Sequence, residues 1–294
     1  MDIRQLNTFL TISNLQSFTK AAQSLDYAQS SITTQIQLLE SELGVRLFER
    51  LGHNITLTSE GRKLLPFAEQ MIKLSIEAKN AVVSSDQPGG TLSIGAVESL
   101  CATRLPKLLK EYRSRYPNVD ISIKFGSSND FKEYLKNNII DVAFFLEQKV
   151  IEGEFLAEIQ FLEPMAVLVA PEHPLSRKES IYPEDLAGES FILTEKGCSY
   201  RIIFENVLNQ YSIKPRSVIE TGNVQTIKQL AMSGLGITFL PLVAAEEECM
   251  QQRLIKLNWK GPAFEMLTQV IYHKNKWISA ALKSLFELMH EIKL

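Results

Sequence analysis

Apolar residues in the first sixty positions fall at helical spacing in three segments. The first holds Leu6, Phe9 and Leu10, and the second is the run Ser17 to Leu25. After a turn at Asp26, Tyr27 and Ala28 comes a longer third segment, in which Ile32, Ile36, Leu39 and Leu43 recur at i, i+4, i+7 and i+11. The far side of that third helix carries Ser30, Thr33, Thr34, Gln37 and Ser41 and no acid. One stripe packs, and the other is free to lie against base edges and phosphates in a major groove. An ordinary antiparallel helix pair shares the spacing, but its solvated face usually carries Glu and Lys pairs. On spacing alone the helix-turn-helix and the plain helix pair are even.

The residues beyond the third helix favour the helix-turn-helix. Gly44 sits where a helix C-terminus wants glycine, and Val45 to Arg50 leads into a hairpin-like stretch, Leu51 to Leu57. A hairpin there is a wing, with Arg46, Arg50 and His53, and Arg62 just beyond, bringing positive charge toward backbone phosphates or a minor groove. Thr58 then caps a helix running toward Ser84 to Gly90. Leu64, Ala68, Met71, Ser75, Ala78 and Val82 alternate four and three apart along it, widened by Leu65 and Ile72, which predicts a coiled-coil seam. Self-pairing is favoured over a helix lying on its own domain, because the segment joins two domains and ends in Pro88-Gly89-Gly90.

From Thr91 onward the period changes to strands alternating with helices. Strands are expected at 91–97, 120–125 and 141–146, with helices at 105–116 and 131–137 between them, as a parallel α/β unit. A second unit has strands near 165–169, 191–194, 218–220 and 237–240; the chain returns at 267–272 and ends in an amphipathic helix, 277–292. The pattern makes two lobes joined by crossings near 161–163 and 265–268.

The residues Phe18-Thr19-Lys20-Ala21-Ala22, the run Gln35 to Arg50, and Leu57-Thr58-Ser59-Glu60-Gly61 together resemble the LysR-type transcriptional regulators in spacing, type and order. The chain departs from the family at Ser30-Ser31-Ile32-Thr33-Thr34, where Pro-Ala-Leu-Ser-Arg is frequent, so its third helix lacks the initial proline and a basic reading side chain. The resemblance implies an N-terminal winged helix-turn-helix (1–58), a dimerising linker helix and hinge (59–90), and a C-terminal α/β effector domain. That domain has two lobes, 91–162 with 267–294 and 163–266, arranged like periplasmic solute-binding proteins. It implies a homodimer or homotetramer whose linker helices pair antiparallel, bound to an inverted-repeat operator in double-stranded DNA, with RNA polymerase as a further partner. On DNA, Gln29, Ser30, Thr33, Thr34 and Gln37 are expected to reach bases, while Lys20, Arg50 and His53 hold backbone.

Ligands of open α/β sheets sit beyond the carboxyl ends of strands, facing helix N-termini. Four hydroxyl- and amide-rich segments qualify: 98–101, 126–129, 195–201 and 222–225. They favour a small anion such as a carboxylate, and they would equally cap helices with no ligand present. The family resemblance implies effector contacts at Ser99, Ser128, Cys198, Tyr200 and Val224. Arg201 is a candidate carboxylate clamp or a structural ion-pair partner. Cys198 also raises a thiol-based redox sensor, which wants a nearby resolving cysteine; none follows it closely, and Cys249 is about fifty residues on.

Composition narrows the rest. The 294 residues are 45% hydrophobic and 22% charged, enough for several domains with real cores. No apolar stretch approaches the roughly 20 residues of a membrane span, and no secretory pattern opens the chain, so a cytoplasmic location without a membrane partner is expected. Three scattered cysteines and four histidines predict neither disulfide framework nor metal, and no cofactor is expected. Enzyme signatures are lacking: no Gly-x-Ser-x-Gly, no Walker loop, no His-Glu-x-x-His, and Gly234-Leu235-Gly236 is short of a dinucleotide fingerprint. A solute-binding protein without DNA function is the other class, and it leaves residues 1 to 84 unexplained. Charge alone argues against nucleic acid, since residues 1 to 60 hold Arg4, Lys20, Arg46 and Arg50 against Asp2, Asp26, Glu40, Glu42, Glu49 and Glu60. Placement matters more than the sum, and dimerisation multiplies a modest affinity per subunit.

Overall fold

Asp2 opens the first helix, α1 (Ile3–Leu15), through a capping box: its carboxylate accepts the Gln5 amide at 2.8 Å while Gln5 accepts the Asp2 amide at 2.9 Å. Ser17 caps α2 (Phe18–Ser24) and α3 spans Gln29–Leu43. The computed structural model describes residues 1–51, 54–82, 88–148 and 153–292. They fall into two compact units, one built on Met1–Gly90 and the other on Thr91–Leu135 with Ile140–Leu294.

In the first unit Leu6, Phe9, Ile12, Phe18, Ala21, Ile32, Ile36 and Leu39 form one buried core. Leu43, expected to complete that stripe, stays 38% exposed, because it occupies the last turn before Gly44 (φ 70°) carries the chain away. The wing is an antiparallel hairpin of β1 (Phe48–Leu51) and β2 (Asn54–Leu57), in register from Phe48 opposite Leu57 to Leu51 opposite Asn54. Its root is fixed from α3, where a Glu40 carboxylate oxygen accepts the Leu47 amide at 2.7 Å. Phe48 then sets its ring 5.4 Å from Phe9 and 5.8 Å from Phe18.

Helix α4 (Ser59–Val82) begins at the same root. Thr58 donates its hydroxyl to the Arg46 carbonyl at 2.7 Å and accepts the Gly61 amide at 2.9 Å, while its own amide reaches the Leu47 carbonyl at 3.0 Å. Gly61 is required by close approach, since a Cβ there would lie 2.2 Å from the Leu47 carbonyl oxygen. The expected seam of α4 is corrected by its packing. Ala68 is buried, and Leu64, Leu65 and Ile72 pack on the unit's own core, whereas Phe67, Met71 and Leu74 form the exposed apolar stripe. The helix therefore lies on its own domain with one face and leaves a second apolar face outward, and the heptad reading had merged the two. Residues 83–87 of the expected break lie outside the described residues.

The second unit runs β3 (Gly90–Ala96), α5 (Glu98–Thr103), α6 (Leu105–Arg115), β4 (Val119–Phe125), α7 (Ser128–Lys136), β5 (Val142–Glu147) and β6 (Phe155–Leu162). It continues through β7 (Met165–Val169), β8 (Ser190–Leu193), α8 (Ser199–Gln210), β9 (Ser217–Glu220), α9 (Val224–Met232), β10 (Ile237–Pro241), α10 (Leu242–Met250) and β11 (Ile255–Lys256). It returns as β12 (Leu267–His273) and closes with α11 (Ala280–Ile292). One sheet has the order β4-β3-β5-β12-β6 and the other β11-β7-β10-β8-β9. The sheets are mixed rather than parallel: β3 and β5 run parallel, as do β10, β8 and β9, but β12 is antiparallel to β5 and β6, and β7 to β10 and β11. Strands β6 and β11 escape sequence reading because β6 alternates irregularly on a sheet edge and β11 has two residues.

Each lobe is one sheet with its helices, and the chain passes between them just after β6 and just before β12. Glu163 sits at the first passage with its side chain fully buried. It accepts Arg104 Nη2 at 2.8 Å and Nε at 3.0 Å and the Thr268 hydroxyl at 2.6 Å, and its amide reaches the Met266 carbonyl at 2.8 Å. One carboxylate thus ties both passages together.

Two substitutions test these close contacts. Gly61→Ala drives a methyl into the Leu47 carbonyl, so the melting transition of the first unit falls by about 1 to 3 kcal/mol in scanning calorimetry of the full chain, with the second unit's transition unmoved. Glu163→Gln leaves Arg104 without its counter-charge, and the second unit loses about 3 kcal/mol in the same trace.

Candidate nucleic-acid interface and interlobe cleft

The outward face of α3 presents Gln29, Ser30, Thr34 and Gln37 to solvent, with Thr33 half-buried. Thr33 donates its hydroxyl to the Gln29 carbonyl at 2.9 Å and Thr34 to the Ser30 carbonyl at 3.0 Å, so both protons are committed to the helix backbone and the oxygens keep acceptor capacity. The Thr19 hydroxyl donates to Gln29 Oε1 at 3.1 Å and joins the starts of α2 and α3. No side chain caps α3, whose N-cap is Ala28, and its first amides remain open to a phosphate. Lys20 is exposed nearby in sequence on α2. Arg50 lies in β1 opposite Ile55, and His53 lies outside the described residues. The acids that made this unit formally negative are partly spent on structure: Asp2 caps α1, Glu40 holds the wing, and Glu60 is kept below the usual carboxylate range first by the Ser59 hydroxyl.

In the second unit a cavity of about 630 Å³ opens between the two sheets' carboxyl ends. Ser99 and Ser128 line it from one lobe, and Cys198, Tyr200 and Val224 from the other, so all five expected contacts meet in one place. The sequence reading missed Glu98, Phe125, Leu146, Thr194 and Glu195, which line it too. Glu98 and Glu195 stood inside segments already marked as strand-end loops, and their charge was the unused signal. Residues 98–101 form the first turn of α5.

The lobes meet across this cavity where the Ser199 hydroxyl donates to the Leu146 carbonyl, and the Val224 amide of one lobe acts on the Glu98 carboxylate of the other. Burial raises the Glu98 pKa first, Glu195 adds to it, and the Val224 amide pulls it back. Arg201 is no free clamp: its guanidinium is held by Glu205 and Glu220 at 2.7 Å each and by the Thr194 carbonyl. Among the described residues no His, Cys, Asp and Glu cluster could hold a metal, and no helix is long and apolar enough to cross a membrane.

Residues 3–62 match the model of bacterial regulatory helix-turn-helix proteins of the lysR family, and residues 85–292 match the LysR substrate binding domain. The chain belongs to the LysR family. It is a LysR-type transcriptional regulator with a helix-turn-helix and a two-lobed effector-binding domain. The uncharacterized HTH-type transcriptional regulator YwqM of Bacillus subtilis (strain 168) is 38% identical over 289 residues, covering 98% of each chain. Two solved LysR-type structures share the fold. A full-length point variant of OxyR from Pseudomonas aeruginosa has a TM-score of 0.75 at 22% identity, covering 100% of this chain and 95% of that one. CbnR complexed with its target DNA has a TM-score of 0.72 at 21% identity, covering 99% of each.

The cleft thiol of this LysR-type chain is poorly suited to sensing oxidant. Burial raises the Cys198 pKa first, and the nearby Thr194 hydroxyl and Arg201 and Tyr200 amides offset it only in part. All three cysteines are free thiols, and burial raises the other two as well. A thiol raised above its ordinary value holds less thiolate at neutral pH, and the thiolate is the reacting form. Cys198 in the native protein is therefore expected to react with iodoacetamide at about pH 7.5 at least about tenfold more slowly than free cysteine. Peptide mapping after timed quenching reads this, and faster-than-free labelling would restore the redox reading.

Proposed function

We propose that this LysR-type regulator binds an inverted-repeat operator as a homodimer or homotetramer, and that a small molecule held between the two lobes of its effector domain modulates that binding. The observation that carries the effector half is the cavity itself, where five residues expected from the resemblance converge from both lobes. The α3 face supports the DNA half: it is polar, uncharged and uncapped at its start. CbnR, a fold neighbour, is seen with its target DNA. Gln29, Ser30, Thr33, Thr34 and Gln37 are assigned to bases, and Lys20 and Arg50 to backbone. The outward stripe of Phe67, Met71 and Leu74 on α4 is the surface assigned to self-pairing.

In this reading the effector favours one angle between lobes over another, and subunit packing passes the difference to the winged heads. A coupling of roughly 1 to 3 kcal/mol is enough for ordinary induction. The anion expected from helix N-termini alone does not fit the lining, which carries Glu98, Asp130 and Glu195 against Lys196. Redox sensing through Cys198 is disfavoured by its burial, and a solute-binding role leaves α1 to α4 without work.

Selection of genomic fragments with the purified protein at two salt concentrations tests the DNA half. An enriched motif of two inverted half-sites, weaker at higher salt, is expected. Thr33→Ala with Thr34→Ala should lower affinity for that motif by about tenfold or more while sparing non-specific binding. Unchanged affinity in the double variant would refute the assignment of the reading face.

A further inference from the structure

We propose that the cleft takes a small organic cation, an amine whose ammonium group is received by the carboxylates of Glu98 and Glu195, with the Ser99 hydroxyl as a further acceptor. This rests on the cleft being the effector site and adds the chemistry of its occupant.

Charge is the first ground. Among the described residues three carboxylates and one ammonium line the cavity, and that cation, Lys196, acts on Glu220, which its backbone amide also reaches. Lys228 acts on Glu98 through space but is committed to Glu248 at 2.9 Å. An anion entering here would add to a negative field.

The second ground is that two of the helix N-termini which would attract an anion are already answered. At the start of α7, Asp130 accepts the Ser127 amide at 2.9 Å and its hydroxyl at 2.7 Å. At the start of α9, Asn223 accepts the Thr226 amide at 2.7 Å, and the Glu98 carboxylate is under the influence of the Val224 amide. At α7 and α9 the protein has placed its own acceptors where a ligand carboxylate would go.

What is left over is acceptor capacity without donors. The second carboxylate oxygen of Glu98 is buried and has no hydrogen-bond partner among the described residues, and neither has the hydroxyl of Ser99, a residue only 2% exposed. Glu195 lies against Gly222, where a Cβ would come within 3.0 Å of its carboxylate, and its charge bears on Glu98. A buried acceptor without a donor is costly, and two neighbouring carboxylates repel. An ammonium group brings three donors and a positive charge to that point. Burial raises the Glu98 pKa first and the Glu195 charge raises it further, both of which a cation beside it would oppose. At about 630 Å³ the space suits a metabolite-sized molecule.

The test uses the full-length protein, with 1,4-diaminobutane, L-lysine and agmatine as cationic probes, succinate and benzoate as anionic ones, and 1,4-butanediol as the neutral control. Thermal shift and titration calorimetry read binding to the parent, to Glu98→Gln and Glu195→Gln, and to Ser128→Trp, which fills the cleft. At least one amine should raise the melting temperature and bind, and each Gln variant should weaken it by about tenfold. Two isosteric variants on opposite lobes keep the comparison decisive should one disturb folding. Failure of every amine to bind, or amine binding indifferent to both Gln variants, would overturn the proposal. Succinate or benzoate binding that Ser128→Trp abolishes would overturn it while leaving the cleft as the effector site; probe binding that Ser128→Trp leaves intact would overturn both.

Discussion

Every helix begins with amide groups that have no partner within the helix, and in this protein what accepts them decides which surfaces are closed and which are open. Asp2, Ser17 and Thr58 close α1, α2 and α4 from within the first unit. Ser127 and Asn223 do the same for α7 and α9 in the second. Helix α3 has alanine at its N-cap and no side-chain cap, a condition it shares with α5, α6, α8 and α10 in the second unit. Within the first unit the helix assigned to DNA is the one whose start keeps free donors for a phosphate.

The same economy accounts for the acids of the first unit. A negative sum over sixty residues looks hostile to nucleic acid, yet Glu40 is occupied by the Leu47 amide and Asp2 by that of Gln5. These carboxylates hold the wing root and the first helix, Asp2 at the helix end whose dipole favours it. Around that root the packing leaves no slack, because Leu47 gives its carbonyl to Thr58, its amide to Glu40 and its side chain to the core, and Gly61 passes against it. Wing and linker helix are thereby one piece, so a load on α4 is felt at the hairpin.

Periodicity exposed the helices of the first unit and most strands of the second because each of those elements buries one clear face. It misread α4, where two apolar faces with different partners sit on one helix and a heptad template cannot tell Ala68, buried, from Met71, exposed. It also missed β6 and β11, whose place in their sheets is set by distant β12 and β7 rather than by local pattern. In the cleft, the family's pattern led to Ser99, Ser128, Cys198, Tyr200 and Val224, all of which line the cavity. Glu98 and Glu195 were invisible in that role, since a glutamate after a strand usually faces water; only the fold shows a Glu98 oxygen buried without a partner and the other lobe's amide acting on its carboxylate.

In the proposed reading the sign of a ligand's charge bears on how the lobes meet. Glu98 belongs to one lobe and Val224 to the other, so the carboxylate is a cleft wall on which an amide of the opposite lobe also acts. A cation beside Glu98 keeps the carboxylate ionised and strengthens its attraction for the Val224 amide, which favours the lobes as they stand. An anion would have to compete with Glu98 for that amide and push its charge aside, which favours a wider angle. At the passages, Glu163 holds Arg104 and Thr268 through its buried carboxylate and the Met266 carbonyl through its backbone amide. In the proposed reading, a ligand can shift the lobes only by as much as it prefers one arrangement of the Glu98 carboxylate over another.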